Sequence, residues 1–138
     1  MADDLDEFTS FVASSSAALF RLAGLLTSGD THAAQDLIQE SYGETYRRWD
    51  SIRDPGARQA YARRILVRAA TRRWKRLRSD RHEHQLHVDD ADVGLADQVA
   101  HARDLWVALA ALSPRQRAVV VLRYYEDLTE AQIAEVLN

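Results

Sequence analysis

Cysteine is missing from all 138 residues. That excludes a disulfide framework, a thiolate metal centre and a cysteine nucleophile. Proline occurs twice and glycine five times. So few breakers leave room for long helices and argue against a turn-rich β architecture. No run approaches 18 consecutive apolar residues, and the acidic start Met-Ala-Asp-Asp-Leu-Asp-Glu lacks the cationic flank of a signal peptide. The expectation is a soluble, cytoplasmic protein with no membrane role. Neither a Gly-rich phosphate loop nor a nucleophile elbow is present, so the sequence does not read as an enzyme and calls for no cofactor.

What is present is helix-forming sequence with its charge sorted into blocks. Hydrophobic residues make up 46% of the chain, enough for packed cores. The net charge of −3 conceals an asymmetry. Residues 1–42 carry one basic and seven acidic side chains; residues 43–78 carry twelve basic and three acidic; residues 79–138 carry five and eleven. A concentrated positive block between acidic flanks suits a polyanion at the centre and a different, protein partner at the flanks.

The positive block centres on Arg58–Arg78, a stretch without Gly or Pro and with no acid after Asp54. Read at a helical period, Ala62, Ile65, Leu66, Ala69, Ala70 and Leu77 form its apolar side. Arg64, Arg68, Arg72 and Lys75 form a row on another side, with Trp74 near its edge and Arg63 and Arg76 close by. A cationic helix face can be merely solvated, but such faces usually mix signs so that pairs four apart support them. This row has no acid within the helix, and its mutual repulsion makes sense if a nucleic-acid backbone relieves it.

Around this helix the chain reads as all-α. A first helix spans Leu5–Leu26, with Phe8, Phe11, Val12, Leu19, Leu22, Leu25 and Leu26 as its apolar set. Thr27-Ser28-Gly29-Asp30 breaks it. A second helix, capped by Asp30 or Thr31, runs to about Trp49 with the stripe Ala34, Leu37, Ile38, Tyr42, Thr45, Tyr46 and Trp49. Its aromatics read as core, while Asp36, Gln39, Glu40 and Glu44 face the other way. Residues Ser79–Val93 lose the apolar period and read as a flexible linker. His82, His84 and His87 lie there near Asp89, Asp90 and Asp92, but their spacing fits no closed tetrahedral site, so no metal is expected.

Helical pattern returns at Leu95 with Val99, Ala102, Leu105, Trp106, Leu109 and Leu112. Ser113-Pro114-Arg115-Gln116 is a capping box with Pro at the first helical position. The helix it opens is expected to bury Ala118, Val119, Val121, Leu122 and Tyr125. Thr129 and Gln132 form a second box, opening a short helix whose Ile133, Ala134 and Leu137 are expected inside. This has the look of the first half of a helix-turn-helix, with the sequence ending at the turn.

Two stretches carry a family resemblance. Ala34-Gln35-Asp36-Leu37-Ile38-Gln39-Glu40 resembles a run in bacterial sigma factors of the extracytoplasmic-function class, and Leu112–Asn138 resembles the start of their fourth conserved region. The cationic stretch is similar to the later half of their second region. The resemblance implies two small helical domains: a second-region bundle over 1–78, a linker over 79–94, and an incomplete fourth region over 95–138 without its recognition helix. It also implies the partners: core RNA polymerase, with its clamp coiled coil on Asp36, Gln39 and Glu40 and its flap on the fourth region; promoter DNA, melted and held by Arg63, Arg64, Arg68, Arg72, Trp74, Lys75 and Arg76; and an anti-sigma factor as a regulator. The family often has Asn near Arg68 and an acid near Arg72, so this row is more basic than the pattern and no base preference carries over. A duplex-binding helix-turn-helix regulator is the alternative, disfavoured because the cationic face lies far in sequence from the half-motif. A pure protein-interaction bundle would leave the positive block unexplained.

Overall fold

The computed structural model describes the backbone of residues 2–80 and 96–138 and the side chains of 2–72 and 103–138. Residues 79 and 80, expected to open the linker, instead end the third helix, and the rest of the expected linker, with its His/Asp cluster, falls outside the described residues. Six α-helices follow in order: α1 Ala2–Leu26, α2 Thr31–Arg47, α3 Ala57–Asp80, α4 Ala96–Ala111, α5 Pro114–Tyr124 and α6 Glu130–Leu137. No strand occurs among the described residues.

Local chemistry sets the boundaries. At the α1–α2 turn, Ser28 and Gly29 take left-handed φ values of 55° and 86°. Gly29 is doubly constrained, because a Cβ there would stand 3.4 Å from the Trp106 ring of α4. The Asp30 side chain then accepts from Ala33 N–H and caps α2. Both expected capping boxes are formed, Ser113 with Gln116 and Thr129 with Gln132. Asp127, at φ 54°, turns the chain between α5 and α6.

α1, α2 and α3 form one bundle. Leu19, Leu22, Ala23 and Leu26 of α1 meet Ala34 and Leu37 of α2 and Ala62, Leu66 and Ala69 of α3. α1 is long and apolar enough to pass for a membrane span by composition, but this stripe lies in the protein core. Phe8, Phe11, Tyr42 and Trp49 pack edge to face at one end. Tyr46 touches Phe8 from a half-exposed position, so it lies at the rim rather than inside. The Tyr42 hydroxyl bonds Ser15 at 2.8 Å. Burial pushes the Tyr42 pKa up, with the Ser15 bond pulling the other way.

One buried polar bond joins α2 to α3, and a second within α2 backs it. Ser41, fully buried, donates to Ala62 O at 2.6 Å, and Thr45 donates back to Ser41 O at 2.7 Å. Ser41→Ala should lower stability by about 1 kcal/mol, the net worth of one buried hydrogen bond, read from the urea midpoint at unchanged slope. A shift near zero would mean that close packing, not the bond, sets the α2–α3 spacing.

α5 and α6 pack on the other side of α3 and on α1. Ala118, Val121, Leu122, Leu128, Ile133 and Val136 thereby join the same core. Two expectations change phase here. On α5 the buried arc is Pro114, Arg117, Ala118, Val121 and Leu122, whereas Val119 and Tyr125 are about 40% exposed. On α6 it is Ile133 and Val136, with Leu137 partly covered and Ala134 outside. Arg117 is the unforeseen core residue. Its Nε donates to Leu109 O at 2.8 Å, Nη1 to Leu26 O at 3.0 Å and Nη2 to Leu112 O at 3.2 Å. One guanidinium thus ties the end of α1 to the end of α4, where helix carbonyls lack intrahelical donors.

Candidate nucleic-acid interface

α3 forms over Ala57–Asp80, two residues longer at its far end than the sequence suggests. Its buried arc is wide: Ala62, Leu66, Val67 and Ala69 are essentially inaccessible. Val67 lies off the apolar side read from the sequence and is covered because a second layer, α5–α6, packs there. Beside that arc lies a cationic row, half-buried at Arg63, Arg64 and Arg68 and exposed at Arg72. Arg64, Arg68 and Arg72 are spaced four apart on the helix, with Arg63 beside them.

These arginines were expected to lack partners, and within α3 they do. Across the fold they have them. Arg63 Nη1 lies 3.3 Å from Glu126 Oε2, in the loop between α5 and α6. Arg68 Nε donates to Val136 O of α6 at 3.2 Å. Arg72 Nη2 donates to Glu40 Oε1 of α2 at 2.9 Å. The reason is distance in sequence: partners 32 to 68 residues away are invisible to a local charge pattern. The last pair is half exposed, so its stabilisation is small, about 0–1 kcal/mol.

Other cations are committed to the bundle. Arg58 sits with its guanidinium 3.8 Å from the Trp49 ring centroid and 3.3 Å from Glu7. Trp74, Lys75 and Arg76 belong to α3, but their side chains lie outside the described ones.

An open cleft of about 330 Å³ separates the first half of α3 from α6, lined on one side by Tyr61, Arg63 and Arg64 and on the other by Leu128, Gln132 and Glu135. Nε of Arg63 and Nε of Arg64 are buried there without an acceptor.

On the neighbouring helix Asp36, Gln39 and Glu40 are all exposed. The α2 surface expected to be acidic and outward is so, with the correction that Glu40 already holds Arg72. Acidic α2 and cationic α3 therefore form adjoining surfaces that meet at one ion pair. Among the described residues no group of His, Asp and Glu is arranged to hold a metal.

Comparison with known families resolves what this pairing belongs to. Residues 11–80 match sigma-70 region 2, and residues 102–138 match sigma-70 region 4. The chain belongs to the sigma-70 family. As a sigma factor of the extracytoplasmic-function type it directs promoter recognition and transcription initiation. It is 36% identical over 136 residues to the RNA polymerase sigma-E factor of Streptomyces coelicolor, covering 96% of this chain and 74% of that protein. The sigma-E factor of Streptomyces avermitilis is 34% identical over 132 residues, covering 96% and 73%. That of Streptomyces antibioticus is 32% identical over 105 residues, covering 76% and 58%. No solved structure matches the chain. In this sigma factor the region 2 match spans most of α1 and all of α2 and α3, and the region 4 match holds α5, α6 and the end of α4.

Proposed function

We propose that this sigma factor divides its two tasks between the adjoining faces of α2 and α3. Asp36, Gln39 and Glu40 dock on the clamp coiled coil of core RNA polymerase, and residues 95–138 meet the flap. Arg63, Arg64, Arg68 and Arg72, continued by Trp74, Lys75 and Arg76, hold the non-template strand of promoter DNA melted at the minus-ten element. Residues 1–78 then act as one working unit and 95–138 as another, joined by 79–94. An anti-sigma factor is the expected regulator of such a pair.

The observation that carries this reading is the row Arg64, Arg68, Arg72, which runs along α3 from the half-buried border with α6 to the exposed Arg72, next to an exposed acidic helix. Melted DNA offers phosphates to cations, and unstacked bases gain about 1–3 kcal/mol each on an aromatic such as Trp74. Extruding a base costs a few kcal/mol, which such a pocket must offset. The acidic α2 surface repels the same DNA and so suits a basic protein surface.

Reconstitution with core polymerase on a promoter-length duplex, read by permanganate reactivity of melted thymines, tests the whole reading. The α2 assignment has its own test. The double variant Asp36→Lys, Glu40→Lys should weaken association with core polymerase about tenfold or more, about 1.4 kcal/mol, by placing like charges across the interface. Its melting temperature should fall by only a few degrees, because both positions are exposed and the half-exposed Glu40–Arg72 pair it breaks contributes at most about 1 kcal/mol. Full retention of polymerase affinity would move the docking surface off α2.

A further inference from the structure

We infer that Gly43 forms a socket in the docking face of α2, and that an apolar side chain of the polymerase coiled coil enters it. The inference rests on the reading of α2 as the polymerase-docking helix and names the packing at the centre of that face.

Gly43 lies inside α2 and continues the stripe of Asp36, Gln39 and Glu40, each three, four or seven positions before it. Glycine is the poorest helix former after proline, because it loses the most backbone freedom there and leaves the backbone bare to water. A fold asks for glycine where φ is positive or where another group fills the space of a Cβ. Neither condition holds at this position. Its φ is not positive, and a Cβ on Gly43 would meet nothing within 4 Å. Alanine would therefore suit α2 better, and nothing within the described chain calls for the gap.

The gap also has walls. On a helix surface the side chains around position 43 are those three and four residues to either side: Gln39, Glu40, Tyr46 and Arg47. All four are exposed. Two are held in place from within the chain. The Tyr46 ring rests against Phe8 of α1 with centroids 4.8 Å apart, and Arg47 Nη2 donates to Glu44 Oε2 at 2.8 Å. Tyr46 still keeps 47% of its surface open, so the gap has an aromatic side as well as a charged one. A hole bounded by four side chains on one helix is what a knob from a second helix fills. Bare backbone below and an aromatic beside it favour an apolar knob, while Glu40 at the rim favours a basic neighbour.

The test immobilises core RNA polymerase, follows binding of the full chain by interferometry, and records thermal unfolding of each variant. Gly43→Ala should raise the melting temperature by about 2–5 °C, because a helix-interior glycine is removed. The same variant should weaken polymerase binding about threefold, and Gly43→Leu, which fills the socket, about tenfold or more, as overpacking of a tight contact does. Gly24→Ala is the control. A Cβ there also meets nothing within 4 Å, but the residue lies on α1. It should raise the melting temperature in the same way and leave binding at the parent's level. Stability and affinity that move in opposite directions at position 43, and not at 24, are what a merely solvated glycine cannot produce. Parent-level binding by both Gly43 variants, with Asp36→Lys, Glu40→Lys still weakened, would overturn the socket and leave α2 as the docking helix. An equal loss of binding in Gly24→Ala would also overturn it, by tracing the loss to a stiffer bundle. Parent-level binding by every variant, the double lysine variant included, would remove the α2 assignment and the socket with it.

Discussion

Arg117→Ala should lower the unfolding free energy by about 3 kcal/mol, since hydrogen bonds to a charged group contribute about 1.5–3 kcal/mol each and a bared buried acceptor adds its own cost. The side chain is 8% exposed and serves three carbonyls on two helices. Alanine would leave Leu26 O and Leu112 O without this donor and open a void the size of the guanidinium stem. Burial pushes the Arg117 pKa down, yet a guanidinium stays charged at any working pH, so the loss should not depend on pH between 5 and 9. Arg117→Lys keeps the charge but not the planar fork, and should recover only part of the loss. Urea unfolding followed by circular dichroism checks both. If the alanine variant lost under 1 kcal/mol, the clasp between α1 and α4 would have no energetic weight.

Neutralising Arg64 and Arg68 together, as Arg64→Gln, Arg68→Gln, should reduce single-stranded DNA affinity about 25-fold. The figure follows from counterion release: each phosphate contact to a single strand is worth a log–log salt slope of about 0.7, or about fivefold at about 0.1 M salt. The slope itself should flatten by about 1.4. Both residues are partly covered, and removing the Arg68 bond to Val136 O should also loosen α6. Loosening acts in the direction of tighter binding, so a net loss identifies the arginines as the grip. Charge reversal to Glu should reduce binding further. Unchanged affinity and slope would take the strand off this face.

The helices were legible because their signals are local. The Ser113–Gln116 and Thr129–Gln132 boxes lie within four residues, and the cationic α3 needs only its own composition. The phase of α5 was not legible. Val119-Val120-Val121 offers three equivalent apolar residues in succession, and the true arc takes only Val121. It takes Arg117 instead of Val119, a substitution no hydropathy pattern proposes, because the acceptors that admit a buried charge sit on other helices. Val67 was missed for a related reason. A bundle expected to comprise only residues 1–78 assigns α3 one buried stripe, and the second layer over it comes from residues more than 45 positions later. Of the candidate site, the residue types were legible, but not that Glu126, Val136 and Glu40 already engage three of the arginines.

The Arg72–Glu40 pair has one more consequence. It joins a side chain assigned to DNA with one assigned to polymerase, so the two binding events are thermodynamically linked. Polymerase that draws Glu40 away releases Arg72 for a phosphate, and a phosphate that takes Arg72 frees Glu40 for polymerase, by the same factor in each direction. Because an exposed pair contributes at most about 1 kcal/mol, this reciprocity is bounded at about fivefold. That is enough to make the ternary assembly tighter than the two separate bindings predict, without forbidding either partner from binding alone.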